Sequence, residues 1–203
     1  MTKEEACIKI KQLVDRFNEK LPFYKKSDYN ETQSRREFID PFFKALGWDI
    51  NIEQGLAEAY KDVIHEYKLK IKESIKAPDY CFTLSGQPEF FVEAKKPTVF
   101  IKEDIIPAYQ VKRYGWNAKL SISIVTAFEK LVIYVYTKKT NVKDKTATDR
   151  IKYLTFNEYL TEFNFLWETF AKERITRGSF EKFIKSMVYE LYNLTQIEIK
   201  VIK

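Results

Sequence analysis

Glu93-Ala94-Lys95 closes the apolar run Phe90-Phe91-Val92, and Pro78-Asp79 belongs to a second strand-like segment just upstream. An aspartate and a Glu-x-Lys on two neighbouring strands can hold a hard divalent cation and a water over a phosphate. Carboxylate oxygens suit Mg²⁺, which keeps several waters and takes only one or two protein carboxylates. Such a cation acidifies water and neutralises charge developing on the phosphate. The chemistry this arrangement allows is metal-dependent phosphodiester hydrolysis, with Asp79 and the Glu93-x-Lys95 triplet able to hold the cation and a water.

Glu-x-Lys occurs three times in the chain, as Glu66-Tyr67-Lys68, Glu93-Ala94-Lys95 and Glu198-Ile199-Lys200, so context must separate them. The unbroken run before Glu93 suits a strand covered on both faces. A carboxylate and an ammonium at the end of such a strand are costly unless paired or bound to a metal. Glu66 and Lys68 instead fall on the polar face of an alternating strand, and Glu198 and Lys200 lie in the C-terminal tail. An ordinary salt-bridged strand end is the alternative for the middle triplet.

The elements that must position these groups follow from the hydrophobic periodicity. The pattern predicts an amphipathic helix over 4–20 with Ile8, Ile10, Leu13, Val14 and Phe17 inward. A second helix runs over 31–46 and ends at Gly47. Its core face is Phe38, Ile39, Phe42, Phe43 and Leu46, and stepping back seven residues places Glu31 and Arg35 near that stripe. Glu31 is either a first-turn charge favoured by the helix dipole or a carboxylate aimed into a site. Strands are predicted over 62–71, 78–84 and 89–95. The first carries the single histidine, His65, on its apolar face, as a core histidine. Ser85-Gly86-Gln87-Pro88 supplies the turn of a hairpin, which would bring Asp79 and Glu93 to the same end. After Pro97 a helix over 103–117 carries Gln110 and Tyr114 one turn apart, either as site groups or as a surface glutamine and a half-buried tyrosine. Strands over 120–127 and 131–136 follow. A charged loop over 138–152 is expected to be mobile and within reach of a DNA backbone, and helices over 156–172 and 179–194 close the chain.

The 203 residues suit one domain, divided here into a core over 1–155 and a helical extension or linker over 156–203. A 45% hydrophobic content supports a substantial core, and a net charge of +6 favours a polyanionic partner. One histidine argues against a His-rich zinc site and most Ser-His or Cys-His nucleophiles. Five glycines form no P-loop or dinucleotide fingerprint. Cys7 and Cys81 offer no metal spacing. With no signal-peptide core or bilayer-length apolar run, they point to a reducing, cytoplasmic setting and no membrane.

The order of helix, strands with Asp79 then Glu93-x-Lys95, helix and strands resembles the PD-(D/E)xK nuclease superfamily, with Pro78 in place. It looks most like the N-terminal endonuclease domain of restriction-modification enzymes, both the fused type IIG proteins and the R subunit of type I systems. The likeness rests on Asn30–Trp48, on Lys76–Phe82 with Phe91–Pro97, on Gln110-Val-Lys-Arg-Tyr114, and on Phe165-Leu-Trp167 through Arg177-Gly-Ser-Phe-Glu-Lys182. It spans roughly residues 20–185.

The resemblance implies an α/β fold with a restriction-endonuclease-like core, a central mixed sheet flanked by helices and a C-terminal helical extension. It implies a Mg²⁺-dependent DNA endonuclease, with Mn²⁺ substituting, in which Asp79, Glu93, Lys95 and Glu31 are catalytic. Gln110, Tyr114, Lys96 and Arg35 would be auxiliary or DNA-binding. Partners implied are double-stranded DNA, methyltransferase and target-recognition modules on the same or another chain, and a second copy in a transient dimer on DNA. No Asn-Pro-Pro-Tyr methyltransferase signature is present, so sequence specificity is expected to reside elsewhere. An inactive DNA-binding or protein-docking module is the alternative function.

Overall fold

The computed structural model describes residues 1–57, 60–135 and 139–175. A six-stranded sheet forms the centre: β1 (Val63–His65), β4 (Tyr80–Leu84), β5 (Gln87–Ala94), β6 (Ile122–Thr126), β7 (Lys130–Val135) and β8 (Arg150–Thr155), adjacent in that order. All neighbours are antiparallel except β5 and β6, which run parallel. A parallel pair needs a long crossover, and helix α5 (Ile105–Ala118) provides it. The short strands β2 (Leu69–Ile71) and β3 (Ser74–Lys76) form a separate hairpin. The result is the expected mixed sheet flanked by helices, compatible with a restriction-endonuclease-like fold.

The β4–β5 connection is a two-residue turn with Ser85 at φ 50° and Gly86 at φ 77°. Both central residues at positive φ match the twist of the flanking strands, and glycine enters that region without cost. The tight turn pairs Leu84 with Gln87, and a β-bulge between Phe82 and Thr83 then shifts the register by one residue. Phe82 faces Phe90 and Tyr80 faces Val92, so Asp79 lies across from Glu93.

One face of the sheet carries the main core. Phe82, Phe90, Val92, Ile124 and Ile133 pack there against α1 (Lys3–Glu19), the short α2 (Leu21–Tyr24) and the segment 31–45. Phe17 stacks on Tyr24 at 5.1 Å and meets Phe38 edge-on at 5.0 Å. Each such aromatic pair contributes about 0.5–1.5 kcal/mol beyond simple burial. Phe91 and Cys81 point to the opposite face and pack with Tyr114 under α5. The run Phe90-Phe91-Val92 is therefore buried on both sides, as expected.

The segment 31–45 is not one regular helix. It comprises α3 (Glu31–Ser34), a π-turn (Arg35–Ile39) and α4 (Asp40–Ala45), ending before Gly47 at φ 92°. Asn30 caps the start, accepting from the Gln33 amide at 3.0 Å while the Gln33 side chain accepts from the Asn30 amide at 2.9 Å. That reciprocal cap fixes where the helix begins.

Other expectations also need correction. Ile8 is 58% exposed, outside the buried stripe of α1. The strand expected over 62–71 is broken at Glu66, whose φ of 51° turns the chain while its amide donates to Asp79 O at 3.1 Å. His65 then ends β1 as an exposed residue, not in the core. The expected 138–152 loop gives up its last residues to β8, a charged, mostly half-buried edge strand whose alternation is weak. Its remainder is tied to α5, because the ammonium of Lys112 donates to Thr148 O at 3.2 Å.

The helix expected over 156–172 is a short 3₁₀ turn (Phe156–Glu158) followed by α6 (Phe163–Phe170). Phe163, Leu166, Trp167 and Phe170 join the main core. The helix expected over 179–194 lies outside the described residues. No helix among the described residues is long and apolar enough to cross a membrane.

Candidate active site

Glu93 and Lys95 share a side of β5 because alternate residues of a strand point the same way. Lys95 is held at the strand end by its amide, which donates to Thr126 O at 2.8 Å. Its carbonyl accepts from Ser34 Oγ at 3.4 Å. Asp79, just ahead of β4, is fixed by its Oδ2, which accepts from the Ala94 amide at 2.7 Å. The hairpin therefore holds both acidic groups by backbone hydrogen bonding and register, as the sequence pattern requires.

The side chains converge. Glu93 Oε1 accepts from Lys95 Nζ at 2.8 Å and from Gln110 Nε2 at 2.6 Å. Gln110 also donates to the Tyr114 hydroxyl at 3.0 Å, so the α5 pair forms the lid over Glu93. Glu31 reaches in from the first turn of α3, with Oε2 3.7 Å from Lys95 Nζ. Glu31 is thus both a first-turn acid and a carboxylate within reach of Lys95. Arg35 Nη1 donates to Asp79 Oδ1 at 3.4 Å.

Electrostatics separate the acids of the cluster from its ammonium. Glu93 is 4% exposed, and its Oε2 is buried with no hydrogen-bond partner. Burial, then the Asp79 charge, lifts its carboxyl to about 7 despite Lys95. Burial likewise raises Glu31, with Lys95 acting against it. For Lys95, burial opposes the charged form, but Glu93, Glu31 and Asp79 outweigh it and the ammonium is held above its ordinary range. The two partners thus move in ways that only look opposed. Lys95 faces three carboxylates and stays charged, whereas Glu93 is the most deeply buried acid with another acid opposite. Burial also pushes the Tyr114 hydroxyl up, so it stays protonated.

A hard divalent cation fits this donor set. An orphaned buried carboxylate oxygen beside a second carboxylate is a ready pair of ligands, and uncompensated carboxylates at close range are relieved by positive charge. Among the described residues no group of three or more His, Cys, Asp or Glu side chains is arranged to hold a metal ion, so Asp79 and Glu93 would act as a pair of carboxylates, the number Mg²⁺ uses when it keeps several waters.

Sequence reasoning missed the layer behind Asp79. Arg35 Nε donates to Tyr80 Oη at 3.0 Å, and Tyr80 Oη donates to Asp40 Oδ1 at 2.6 Å. Arg35 Nη2 lies 3.2 Å from His65 Nδ1, and His65 Nε2 lies 3.1 Å from Ile50 O. Both contacts are satisfied by the neutral tautomer carrying its proton on Nε2, which accepts from arginine and donates to the carbonyl. Arg35, expected as an auxiliary or DNA-binding group, makes a positioning contact on Asp79. Ser34, Asp40 and Tyr80 lie within the segments that carry the resemblance, but no role was read for them. Lys96 is not brought into the cluster: its Nζ lies 3.5 Å from Ser27 O at the rim.

The sequence matches no family model and no solved structure. It is 38% identical over 174 residues to the "Type II restriction enzyme and methyltransferase RM.Eco57I" of Escherichia coli. The match covers 85% of this chain but 17% of that protein. The chain is thus similar over most of its length to a minor portion of a fused restriction enzyme and methyltransferase.

Proposed function

We propose that this chain is the Mg²⁺-dependent DNA endonuclease domain of a restriction system, with a PD-(D/E)xK site at Asp79, Glu93 and Lys95. The observation that carries the proposal is the buried, unpartnered Oε2 of Glu93 at the hairpin end that also bears Asp79 and Lys95. The match to a restriction enzyme supports the same assignment. Asp79 and Glu93 would hold the cation, and Mn²⁺ would substitute for Mg²⁺. When bound, Mg²⁺ supplies positive charge against the phosphoryl oxygens and acidifies water.

The remaining work falls to this chain's own side chains. Lys95, kept charged by its acidic neighbours, donates to the attacking water and to a non-bridging phosphate oxygen. Glu31 and Glu93 hold that ammonium in place. Gln110 orients Glu93, and the protonated Tyr114 hydroxyl anchors Gln110. Water attacks phosphorus in line and gives up a proton to solvent, the opposite P–O bond breaks, and the leaving oxygen takes a proton from solvent. No covalent enzyme intermediate forms.

The test is plasmid cleavage with Mg²⁺ or Mn²⁺ by the wild type, Asp79→Ala and Lys95→Ala. Cleavage by the wild type alone is expected, and equal cleavage by all three overturns the assignment. A second reading rests on the 2.8 Å ion pair of Lys95 with Glu93, which already neutralises part of the site. In it, the chain is an inactive module that binds DNA or docks on a methyltransferase or specificity subunit. Calorimetry separates the two: a Mn²⁺ binding isotherm lost in Asp79→Ala supports the nuclease, and DNA binding without any metal isotherm supports the inactive module.

A further inference from the structure

Two hollows lie side by side on the outer face of α5. The smaller, about 320 Å³, is lined by Lys76, Ile106, Tyr109, Gln110, Arg113 and Tyr114, so it opens directly onto the lid of the candidate site. The larger, about 610 Å³, shares Tyr109 and Arg113 and continues between the β2–β3 hairpin and residues 139–142. It adds Lys72, Trp116 and Lys139 to the lining. Among the described residues no aspartate or glutamate lines either hollow, although acidic residues are common elsewhere in the chain. Arg113 makes no ion pair with a described residue through its guanidinium, nor do Lys72, Lys76 and Lys139 through their ammonium groups. Trp116 is 37% exposed and Ile106 is 68% exposed.

We propose that this groove takes an unpaired nucleic-acid strand leading away from the hairpin site. The inference rests on the hairpin end being a phosphodiester site. Four cations without a carboxylate complement a phosphate backbone. Aromatic side chains interleaved with them offer faces on which bases stack regardless of sequence, the combination by which proteins hold single strands. The larger hollow falls in the size range of sites for small-molecule-sized groups, which admits a nucleotide and not a duplex. Its continuity with Gln110 and Tyr114 puts the strand's path next to the scissile position.

Trp116 supplies its own probe. The other two tryptophans, Trp48 and Trp167, are buried at 2% and 3% exposure, so quenching by added DNA reports on Trp116. The full chain is titrated in EDTA, where no hydrolysis occurs, with a thymidine oligonucleotide and with a duplex of equal length. The single strand should quench, and Trp116→Phe should abolish the quench. Trp116→Ala should weaken binding at least about fivefold, the lower end of what one stacked base contributes. Arg113→Gln and the surface pair Lys72→Gln/Lys139→Gln should each lower the salt dependence, by about 0.7 in log–log slope for each phosphate no longer neutralised. Lys9→Gln, on the far side of the molecule, should change nothing.

Equal or tighter binding of the duplex with the same quench overturns the single-strand assignment. Absence of any quench, or a salt slope indifferent to Arg113 and to the lysine pair, overturns the groove itself. Cleavage assays on the same proteins keep the two proposals separate. Metal-dependent cleavage lost only in Asp79→Ala alongside an unquenched Trp116 removes the groove and leaves the hairpin site. Quenching with cleavage indifferent to Asp79→Ala does the reverse.

Discussion

Lys112 and Glu93 are both buried charges beside α5, and they are treated differently by their surroundings. Lys112, 1% exposed, donates to Thr148 O at 3.2 Å, lies 3.9 Å from Asp144 and sits 5.8 Å above the Tyr134 ring. Its charge is answered from several directions by groups of the fold, and what it secures is the loop before β8. Glu93 receives Lys95 and Gln110 on one oxygen and nothing on the other, with Asp79 opposing it. A charge that is fully answered serves stability. One left partly unanswered at a rigid strand end costs stability, and on the proposed reading it is the charge a cation would answer. Burial alone does not distinguish the two; the inventory of partners does.

Substitutions at the two positions should therefore have opposite consequences. Glu93→Gln is expected to lower Mg²⁺-dependent plasmid cleavage by at least about a hundredfold, as measured by nicking rate, while raising the metal-free melting temperature at pH 8. Lys112→Met is expected to do the converse. It loses a charge-assisted hydrogen bond, about 1.5–3 kcal/mol, in chemical denaturation, and leaves cleavage by the folded protein unchanged. If Glu93→Gln destabilises as Lys112→Met does, the contrast fails and Glu93 is a structural ion pair.

The pH dependence sharpens the same contrast. Glu93 is raised from 4.5 to about 7, so the folded chain keeps a proton that the unfolded chain releases. Its favourable share of stability is complete below pH 4.5 and lost as pH rises through about 7, a span worth about 3 kcal/mol at most. Denaturation in EDTA should show stability falling between pH 5 and 8. The slope should flatten in Glu93→Gln, and it should flatten in wild type when Mg²⁺ is added. Stability that climbs over that range would mean Glu93 is not strained.

Smaller effects are expected further out. Arg35→Met should reduce cleavage about 10–100-fold, the range for groups that orient a metal ligand, with weaker Mn²⁺ binding by calorimetry. Lys96→Ala, at the rim near Ser27, should change the cleavage rate by less than about twofold; a large loss would place it in the site after all.

The hairpin was legible because three local signals agree: an apolar run, a Ser-Gly turn and charges at one end. That agreement carried Asp79, Glu93 and Lys95 to one place, and helical spacing carried Gln110 and Tyr114 to each other. The network of Arg35 with Tyr80, Asp40 and His65 was not legible. It joins residues up to 45 positions apart, and nothing in local periodicity reports such a contact. His65 was misplaced for a related reason. Alternation over 62–71 assumes an unbroken strand, and the positive φ of Glu66 ends it. Strand β8 escaped because Arg150 and Lys152 interrupt its apolar pattern, and an edge strand tolerates such charges.

The π-turn at Arg35–Ile39 gives the opening helix two independent phases. Glu31 upstream of it and Arg35 at its first position are aimed at the hairpin; Phe38 near its end and Phe42 and Phe43 downstream are aimed at the core. A widened turn inserts about one residue, roughly 100° of rotation, between these two halves. Excising a single residue such as Arg36 would let the turn relax into ordinary helix. The aromatic half would stay seated while Glu31 swung off Lys95, so the molecule would remain folded and lose its aim.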